Sequence, residues 1–326
     1  MKKITKIGAA LSCAALFALA ACSSSSSVSI SPNWYSNTTL TTNITDTYES
    51  LVYDVTYTEG ENDDVNFTLS YDTGTYSVTL ENATYESQLV YKLSSELSIS
   101  GTVAYGSESY SFDDSVTSVC YFLNASKSLY PLYSLKTVKS TTPSGESVSS
   151  LSEAYTEYTY TMEVTYDTAE GTAVSVYTDL SDGSDTESEY DLKTNATVLD
   201  NENLLFAVRG FSLSEDSSES VYVLNPYANS QDTVVVECTE ETSDAEYTFT
   251  DINAGETEAT AHTLDVNTVG IIRNTTFSGT TITAYYAAPV SDENTYHCVM
   301  LAMESPLSSE MGTLTYTLSE AEFTTK

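Results

Sequence analysis

The residues best able to carry out catalysis are few in this chain of 326 residues. Its two histidines are His262 and His297, and neither stands in an HExxH or a G-x-S-x-G motif. A nucleophilic pair of His262 with Cys238 or Cys298 is an alternative, but no neighbouring residue indicates the environment that activates such a cysteine. The sequence therefore predicts no catalytic residue, no cofactor and no enzyme activity.

The cysteines beyond residue 22 are Cys120, Cys238 and Cys298, and each stands in a strand-like run with apolar alternate residues. No CxxC occurs, and the spacing matches no zinc site. Three cysteines allow at most one disulfide within the molecule. Buried structural thiols are predicted, with a Cys238–Cys298 bridge as the alternative.

The densest acidic loop covers residues 179–187, with acids at its positions 1, 4, 7 and 9. A calcium-binding EF-hand loop needs its ligands at other positions and a glycine at the sixth, so the pattern does not match. The loop is predicted to be a solvated hairpin tip, and no metal site is expected.

The N-terminal segment predicts secretion. Lysines at positions 2, 3 and 6 precede an apolar run over 7–21, which is too short and too lightly flanked to span a membrane and is typical of a cleaved signal. Residues 19–22 read Leu-Ala-Ala-Cys and resemble the bacterial lipobox. The resemblance implies that the thiol of Cys22 receives a diacylglyceryl group and becomes the new N-terminus. An ordinary signal peptide is the alternative.

The chain divides into three parts on composition. Residues 1–21 are the predicted signal peptide, and residues 22–35 are the lipidated cysteine followed by a serine-rich tether, which includes Trp34, the sole tryptophan. Residues 36–326 are predicted to form a single large antiparallel β domain. The polar stretch at 141–150 is the one candidate for an internal boundary, and a long turn is preferred there.

The net charge of the protein limits which partners it can bind. The whole chain has a formal charge of −36, and loss of the signal peptide would leave 8 cations against 47 acids, or −39. So acidic a protein is repelled by nucleic acid and by anionic headgroups. Membrane attachment is therefore expected through acyl chains, each CH2 contributing about 0.8 kcal/mol on burial. The predicted location is extracytoplasmic, on the outer face of the cell membrane or on an outer membrane.

Alternation of apolar and polar residues dominates the chain after residue 48. In one such run Leu51, Tyr53, Val55 and Tyr57 share a face, and the 26 tyrosines of the chain recur among Val, Leu, Ile and Thr in alternating runs. Residues 72–75, Asp-Thr-Gly-Thr, predict a hairpin whose Gly74 is available for positive φ. The predicted fold is all-β, one large antiparallel sheet. Two tandem β-sandwiches are the alternative.

Residues 199–210 break the alternation and predict the short helix. Asp200 can cap its start, Glu202 favours the first turn, and Gly210 can end it in the left-handed conformation. A fully buried strand is the alternative. In the helix, one face that packs on the sheet is formed by Leu204, Leu205 and Val208.

Two long segments contain no acid. Residues 115–145 carry only Lys127, Lys136 and Lys139 as charged groups, and residues 266–291 carry only Arg273. Such segments in so acidic a chain are predicted to be central strands of the sheet. The alternative is that they line a ligand surface with Lys or Arg at its rim.

Four local patterns occur at 114–118, 129–134, 203–210 and 303–314. They read Asp-Ser-Val-Thr-Ser, then Leu-Tyr-Pro-Leu-Tyr-Ser, then Asn-Leu-Leu-Phe-Ala-Val-Arg-Gly, and last Met-Glu-Ser-Pro-Leu with Gly-Thr-Leu. Together they resemble the curved antiparallel half-barrels of bacterial envelope proteins, the lipoprotein-carrier (LolA/LolB-like) type and an uncharacterised periplasmic relative. The resemblance implies one large curved antiparallel sheet, with one short helix in the middle of the chain lying against its concave face. It also implies that acyl chains or other amphiphiles bind there.

The first functional hypothesis is non-catalytic binding of an apolar or amphiphilic ligand on the concave face, with the helix as its lid. The second is a structural or adhesive surface module that binds glycan or protein. The residues proposed for the ligand site are Leu204, Leu205, Val208, Arg209 and Arg273.

Overall fold

The computed structural model describes residues 48–125, 128–193, 196–211, 218–226, 230–253, 260–274, 281–288, 299–307 and 310–325. Sixteen strands lie in these ranges, and all belong to one sheet. The strands are β1 Tyr48–Glu59, β2 Thr68–Tyr71, β3 Gly74–Tyr85, β4 Gln88–Tyr105, β5 Glu108–Ala125, β6 Ser128–Pro143, β7 Tyr155–Asp167, β8 Thr172–Asp179, β9 Ser184–Asp191, β10 Val198–Leu199, β11 Ser218–Asn225, β12 Ser230–Asn253, β13 Thr260–Asn274, β14 Thr281–Ala288, β15 Met300–Pro306 and β16 Gly312–Thr325.

Helices are short in the described ranges. A 3-10 helix covers Leu151–Glu153, a second covers Asn201–Asn203, and the second runs directly into the α-helix α1, Leu204–Val208. No helix in these ranges has the length and apolar character needed to cross a membrane. The predicted fold, a large curved antiparallel sheet with one short helix, is confirmed, and the alternative of two tandem sandwiches is wrong.

The sheet begins at β10 and follows the chain to β16, which pairs with β1, and it then continues through β3 to β9. Its neighbours are antiparallel except that β10 pairs in parallel with β11, and the end of β12 also pairs in parallel with the end of β16. The edge strands β9 and β10 are thus adjacent in the chain but at opposite edges of the sheet. Residues 192–197 join them, and so short a connection spans at most about 25 Å. The sheet must therefore curve until its two edges approach each other.

Side-chain hydrogen bonds join the approaching edges. The amide nitrogen of Gln231 in β12 donates to the carbonyl of Asp191 at 2.8 Å, and its amide oxygen accepts from the backbone N–H of Lys193 at 3.1 Å. A small core of β7, β8 and β9 residues, Met162 and Val164 among them, packs there against Leu224 of β11. These contacts hold the curvature without a continuous ladder between the two edges.

The main core lies inside the curve, on both sides of α1. Buried Leu80 and Phe122 come from one part of the sheet, Val221 and Val236 from the other, and Leu204 of the helix packs between them. Because successive strand residues point to opposite faces, the alternation seen in the sequence delivers every second side chain to this interior.

The hairpin predicted at 72–75 is wrong. Strand β2 pairs with residues 101–104 of β4, and β3 pairs with residues 88–98 of the same strand, so β2 and β3 lie end to end beside β4. Gly74 is not among the residues with positive φ. It is needed for close approach instead, because a Cβ there would lie 2.8 Å from Ile99 Cβ and 2.8 Å from the carbonyl oxygen of Ser98.

Two further connections bear on the predictions. The acidic loop at 179–187 is confirmed as an exposed hairpin tip between β8 and β9, with Gly183 at φ 71°. Residues 144–154 connect β6 to β7, and these two strands pair with each other along eleven residue pairs. The backbone N–H of Ser144 donates to the carbonyl of Ala154 at 2.8 Å and closes that connection.

Candidate functional site

A cavity of about 420 Å³ lies between the concave face of the sheet and α1. One wall consists of side chains from β1 and from β3 to β7, and the other consists of the helix segment with residues of β14, β15 and β16. Most of the lining is apolar or aromatic. The cavity-lining residues used below are Tyr53, Tyr76, Val78, Leu97, Val116, Lys136, Val138, Ser140, Glu202, Leu205, Phe206, Arg209, Tyr286, Met300, Met303, Ser305 and Tyr316.

The period of two in each strand positions the sheet wall. In β6 the inward residues are Lys136, Val138 and Ser140, and all three line the cavity. In β5 the cavity residue Val116 is followed by Thr117, which is exposed on the outer face. A one-residue step along a strand therefore separates the cavity from solvent.

The helix is held in place by Asp200. Its Oδ1 accepts from the backbone N–H of Glu202 at 2.7 Å, and the side chain of Asn203 accepts from the backbone N–H of Asp200, which completes a reciprocal cap. The other carboxylate oxygen of Asp200, Oδ2, accepts hydrogen bonds from the hydroxyls of Ser134 and Tyr166, each at 2.6 Å. Burial, reinforced by the nearby charge of Glu202, raises the pKa of this carboxyl despite those hydrogen bonds.

The predicted end of the helix is different in the structure. Gly210 does not adopt positive φ, and its backbone N–H donates to the carbonyl of Ala207 at 2.9 Å. The helix therefore ends in a tightened turn rather than in a left-handed residue. The predicted capping role of Asp200 is confirmed.

A buried ion pair lies beside the cavity. Arg209 donates from both terminal nitrogens to Glu49 of β1, at 2.6 and 2.9 Å. The two side chains are only 4% and 0% exposed. The guanidinium also lies over the ring of Phe206, 5.1 Å from its centroid. Arg209 thus fastens the helix to β1, and its charge is already neutralised.

A second ion pair lies on the cavity wall. Lys136 Nζ is 3.1 Å from Glu202 Oε1, with the two side chains 23% and 14% exposed. Burial is the largest single influence on the pKa of Lys136 and tends to lower it, but the charge of Glu202, its hydrogen bond to Lys136 and the nearby Tyr160 and Tyr76 together raise this pKa. Burial tends to raise the pKa of Glu202, but Lys136 and hydrogen bonds from Asn201 and Ser118 lower it. Both groups are therefore held in their charged forms.

Hydrogen bonds from tyrosine hydroxyls stabilise the cavity walls. Tyr53 donates to the carbonyl of Met300 at 2.9 Å, and Tyr286 donates to the carbonyl of Leu205 at 2.8 Å. Burial raises the pKa values of Tyr53, Tyr76 and Tyr316, so these side chains stay neutral phenols.

The structure brings together only some of the residues proposed from the sequence. Leu205 and Arg209 line the cavity, whereas Leu204 and Val208 face the core at 0% and 3% exposure. Arg273 lies in β13 beside Ile282 and Val236, and its side chain is outside the described part.

The acid-free segments form central strands of the sheet, as predicted, and some of their residues also line the cavity. Residues 115–125 and 128–143 belong to β5 and β6, inside the sheet, and they also contribute Val116, Lys136 and Val138 to the cavity. From the second acid-free segment, Tyr286 lines the opposite wall. Lys136 is a cavity cation that was not among the five residues proposed for the ligand site. The sequence feature that pointed to it was its position in a segment without acids.

Among the cysteines and histidines considered as reactive groups, Cys120 is the one whose side chain the structure describes. Cys120 is a free, fully buried thiol whose pKa burial raises well above its ordinary value. Cys238 and His262 lie in β12 and β13, with side chains outside the described part. Within the described ranges, no group of three or more His, Cys, Asp or Glu residues could hold a metal ion. The predictions for Cys22, Trp34, His297 and Cys298, including a Cys238–Cys298 bridge, concern positions outside the described residues.

Fold and site together define a curved antiparallel sheet that wraps around a short helix and keeps a largely apolar cavity beside it. Comparisons of the chain with protein-family models, with curated proteins and with solved structures found no match.

Proposed function

We propose that this protein is a lipid-anchored extracytoplasmic protein that binds an apolar or amphiphilic ligand in the cavity beside α1, without catalysis. The observation that carries the proposal is the cavity itself, about 420 Å³ and lined mainly by aliphatic and aromatic side chains. That volume lies within the range of about 300–1,000 Å³ common for small-molecule sites.

The composition of the lining supports this proposal. Val78, Leu97 and Val138 are aliphatic residues of one cavity wall, and Met300 and Met303 belong to the other wall. Methionine is unbranched and adapts its shape, which suits contact with a flexible hydrocarbon chain. Burial of such a chain here would remove apolar surface from water on both partners.

Binding is tested with two matched tryptophan variants. Val116→Trp places an indole in the cavity, and Thr117→Trp places the same group on the outer face one residue away. Native mass spectrometry of protein purified from its own cells should show a bound lipid-like mass in wild type and in Thr117→Trp, and none in Val116→Trp. Circular dichroism melts check that both variants fold. No bound mass in wild type, or equal occupancy in Val116→Trp, contradicts the proposal.

Membrane attachment is proposed on the lipobox resemblance at Cys22 together with the formal charge of −39 that signal cleavage would leave. Because the charged body is repelled by anionic headgroups, the acyl chains have to hold the protein at the membrane. A Cys22→Ala variant should be released into the medium or periplasm, measured by fractionation and immunoblotting. A variant that stays in the membrane fraction contradicts this anchor.

The outer face favours a second candidate function, an adhesive module. Tyr85, Tyr121 and Tyr133 form a partly exposed ring cluster there, with centroids 5.2–6.0 Å apart. Tyrosine is enriched where proteins meet partners, because its ring is apolar and its hydroxyl can bond. Arrays of glycans and extracellular proteins would test this candidate: binding by wild type that is lost in Tyr121→Ser supports it, and no binding by wild type argues against it.

A further inference from the structure

The charged side chains of the cavity are already paired with each other or with a neighbour. Among the described lining residues the cations are Lys136 and Arg209. Lys136 lies 3.1 Å from Glu202, and Arg209 makes a bidentate pair with Glu49. The described wall therefore carries no net positive charge that could receive an anion.

An anionic headgroup would lose hydration on entering this cavity and gain no cation in return. To reach Lys136 it would have to displace the carboxylate of Glu202, which would then be left in a largely buried position without its partner. Breaking a buried pair in this way is strongly unfavourable. The large negative charge of the protein adds long-range repulsion, although salt screens it beyond about 10 Å.

Uncharged polar groups face no such penalty. The hydroxyls of Ser140 and Ser305 line the cavity, and the phenol of Tyr76 lies on the same wall as Lys136. A ligand hydroxyl, ester or amide can exchange hydrogen bonds with such groups without disturbing either ion pair. The raised pKa of Tyr76, caused mainly by burial, keeps this phenol neutral.

We infer that the cavity selects an uncharged amphiphile, a hydrocarbon chain that ends in a hydroxyl, ester or amide, and discriminates against a carboxylate or phosphate headgroup. The inference rests on the proposed function and specifies the ligand class for the same cavity. Glu202 makes this selectivity possible, because its carboxylate neutralises Lys136, the one lysine on the cavity wall in the described part of the chain.

Decanol and decanoate test the inference, because they share a chain and differ only in the headgroup. Both are titrated into the purified protein below their aggregation limits, at neutral pH and low salt, by isothermal calorimetry. Wild type should bind decanol at least about tenfold more tightly than decanoate, since an unpaired buried charge costs more than the 1.4 kcal/mol that a tenfold ratio represents.

A single variant should change this preference. Glu202→Gln keeps the shape of the side chain and leaves the ammonium of Lys136 without its carboxylate. Decanoate should then bind at least about tenfold more tightly than it does to wild type, so the preference for decanol over decanoate should shrink or reverse. Glu96→Gln removes an acid that is exposed on the outer face of β4, and it should change neither affinity. If Glu202→Gln does not fold, Lys136→Met combined with Glu202→Leu removes both charges and should keep decanol selectivity.

The outcomes separate the inference from the proposed function. If wild type binds neither compound and Val116→Trp still carries its bound mass, the proposed cavity function fails. If wild type binds decanoate as tightly as decanol, the function stands and the inference is overturned. Unchanged decanoate affinity in a folded Glu202→Gln protein also overturns it, because the ion pair would then have no part in selectivity.

Discussion

Removal of the Arg209 charge should destabilise the protein strongly. In Arg209→Met the apolar part of the side chain can still pack on Phe206, but Glu49 loses both hydrogen bonds from the guanidinium at a position where it is 0% exposed. Removal of one partner of a buried ion pair costs about 3–5 kcal/mol of unfolding free energy. The pair also joins β1 to the helix, 160 residues apart in the chain, so its loss loosens the attachment of α1 to the sheet.

Two variants separate the charge from the packing. Replacement of both partners, Glu49→Leu with Arg209→Met, removes the stranded charge and should recover a large part of the loss, because two apolar side chains can replace a buried pair at little cost. Lys92→Met is the matched control, since the Lys92–Glu81 pair has the same kind of contact at 3.1 Å but is 33% and 44% exposed. Its effect should lie below about 1 kcal/mol.

Urea unfolding followed by circular dichroism and by tyrosine fluorescence measures these effects. If the unfolding free energy falls by about 3 kcal/mol per molar urea, the urea midpoint of Arg209→Met should be lower than that of wild type by about 1–1.7 M. The reasoning is refuted if Arg209→Met costs no more than Lys92→Met, or if the double variant is less stable than Arg209→Met alone.

Three other predictions concern stability and reactivity. Asp200→Ala removes the helix cap and the acceptor of two buried hydroxyls, so it should lower the unfolding free energy by about 2–4 kcal/mol in urea titrations. The pKa of Glu202 is lower in the folded protein than in the unfolded chain, so the charge of Glu202 stabilises the fold at a pH above the unfolded pKa. This contribution should disappear as the pH falls through the folded pKa of Glu202. The urea midpoint of Glu202→Gln should therefore depend less on pH in the acid range than the midpoint of wild type. Native Cys120 should resist iodoacetamide in peptide mapping and react in urea, because burial disfavours its thiolate.

Each of these predictions has a control or a contrary result. Asp185 lies on the exposed hairpin tip, and Asp185→Ala should cost far less than Asp200→Ala; equal effects would contradict the role of the cap. Asp200 has a raised pKa, so its titration acts in the opposite direction, and Asp200→Asn should preserve the acid-side loss that Glu202 causes. Labelling of Cys120 in the native protein at the rate seen in urea would contradict its burial.

Much of the fold could be predicted because its signals are local. The face shared by Leu51, Tyr53 and Val55 is the buried face of β1, as period-two alternation requires. Asp200 caps the helix through atoms two and three residues away, which a sequence pattern can express. The role of Gly74 could not be predicted in the same way, because its constraint comes from Ile99 and Ser98 in β4.

The site was predictable only in part. Leu205 and Arg209 could be proposed as cavity residues because the helix is short and interrupts the strands. The partner of Arg209 could not, since Glu49 is one of 47 acids and stands 160 residues away. Nor could helical periodicity tell that Leu204 and Val208 face the packed core while Leu205 faces the cavity, because both directions are apolar.

By itself the sequence determined an antiparallel all-β sheet and one capped helix, through alternation and capping that act within a few residues. Only the tertiary structure decided which strands the curve brings together, because the edge strands β9 and β10 are joined by a short connection and so have to approach each other. That curvature brings Glu49 to Arg209 and Lys136 to Glu202, and it leaves the cavity between them. Long-range pairing of charges depends on the path of the whole sheet, and no local pattern specifies that path.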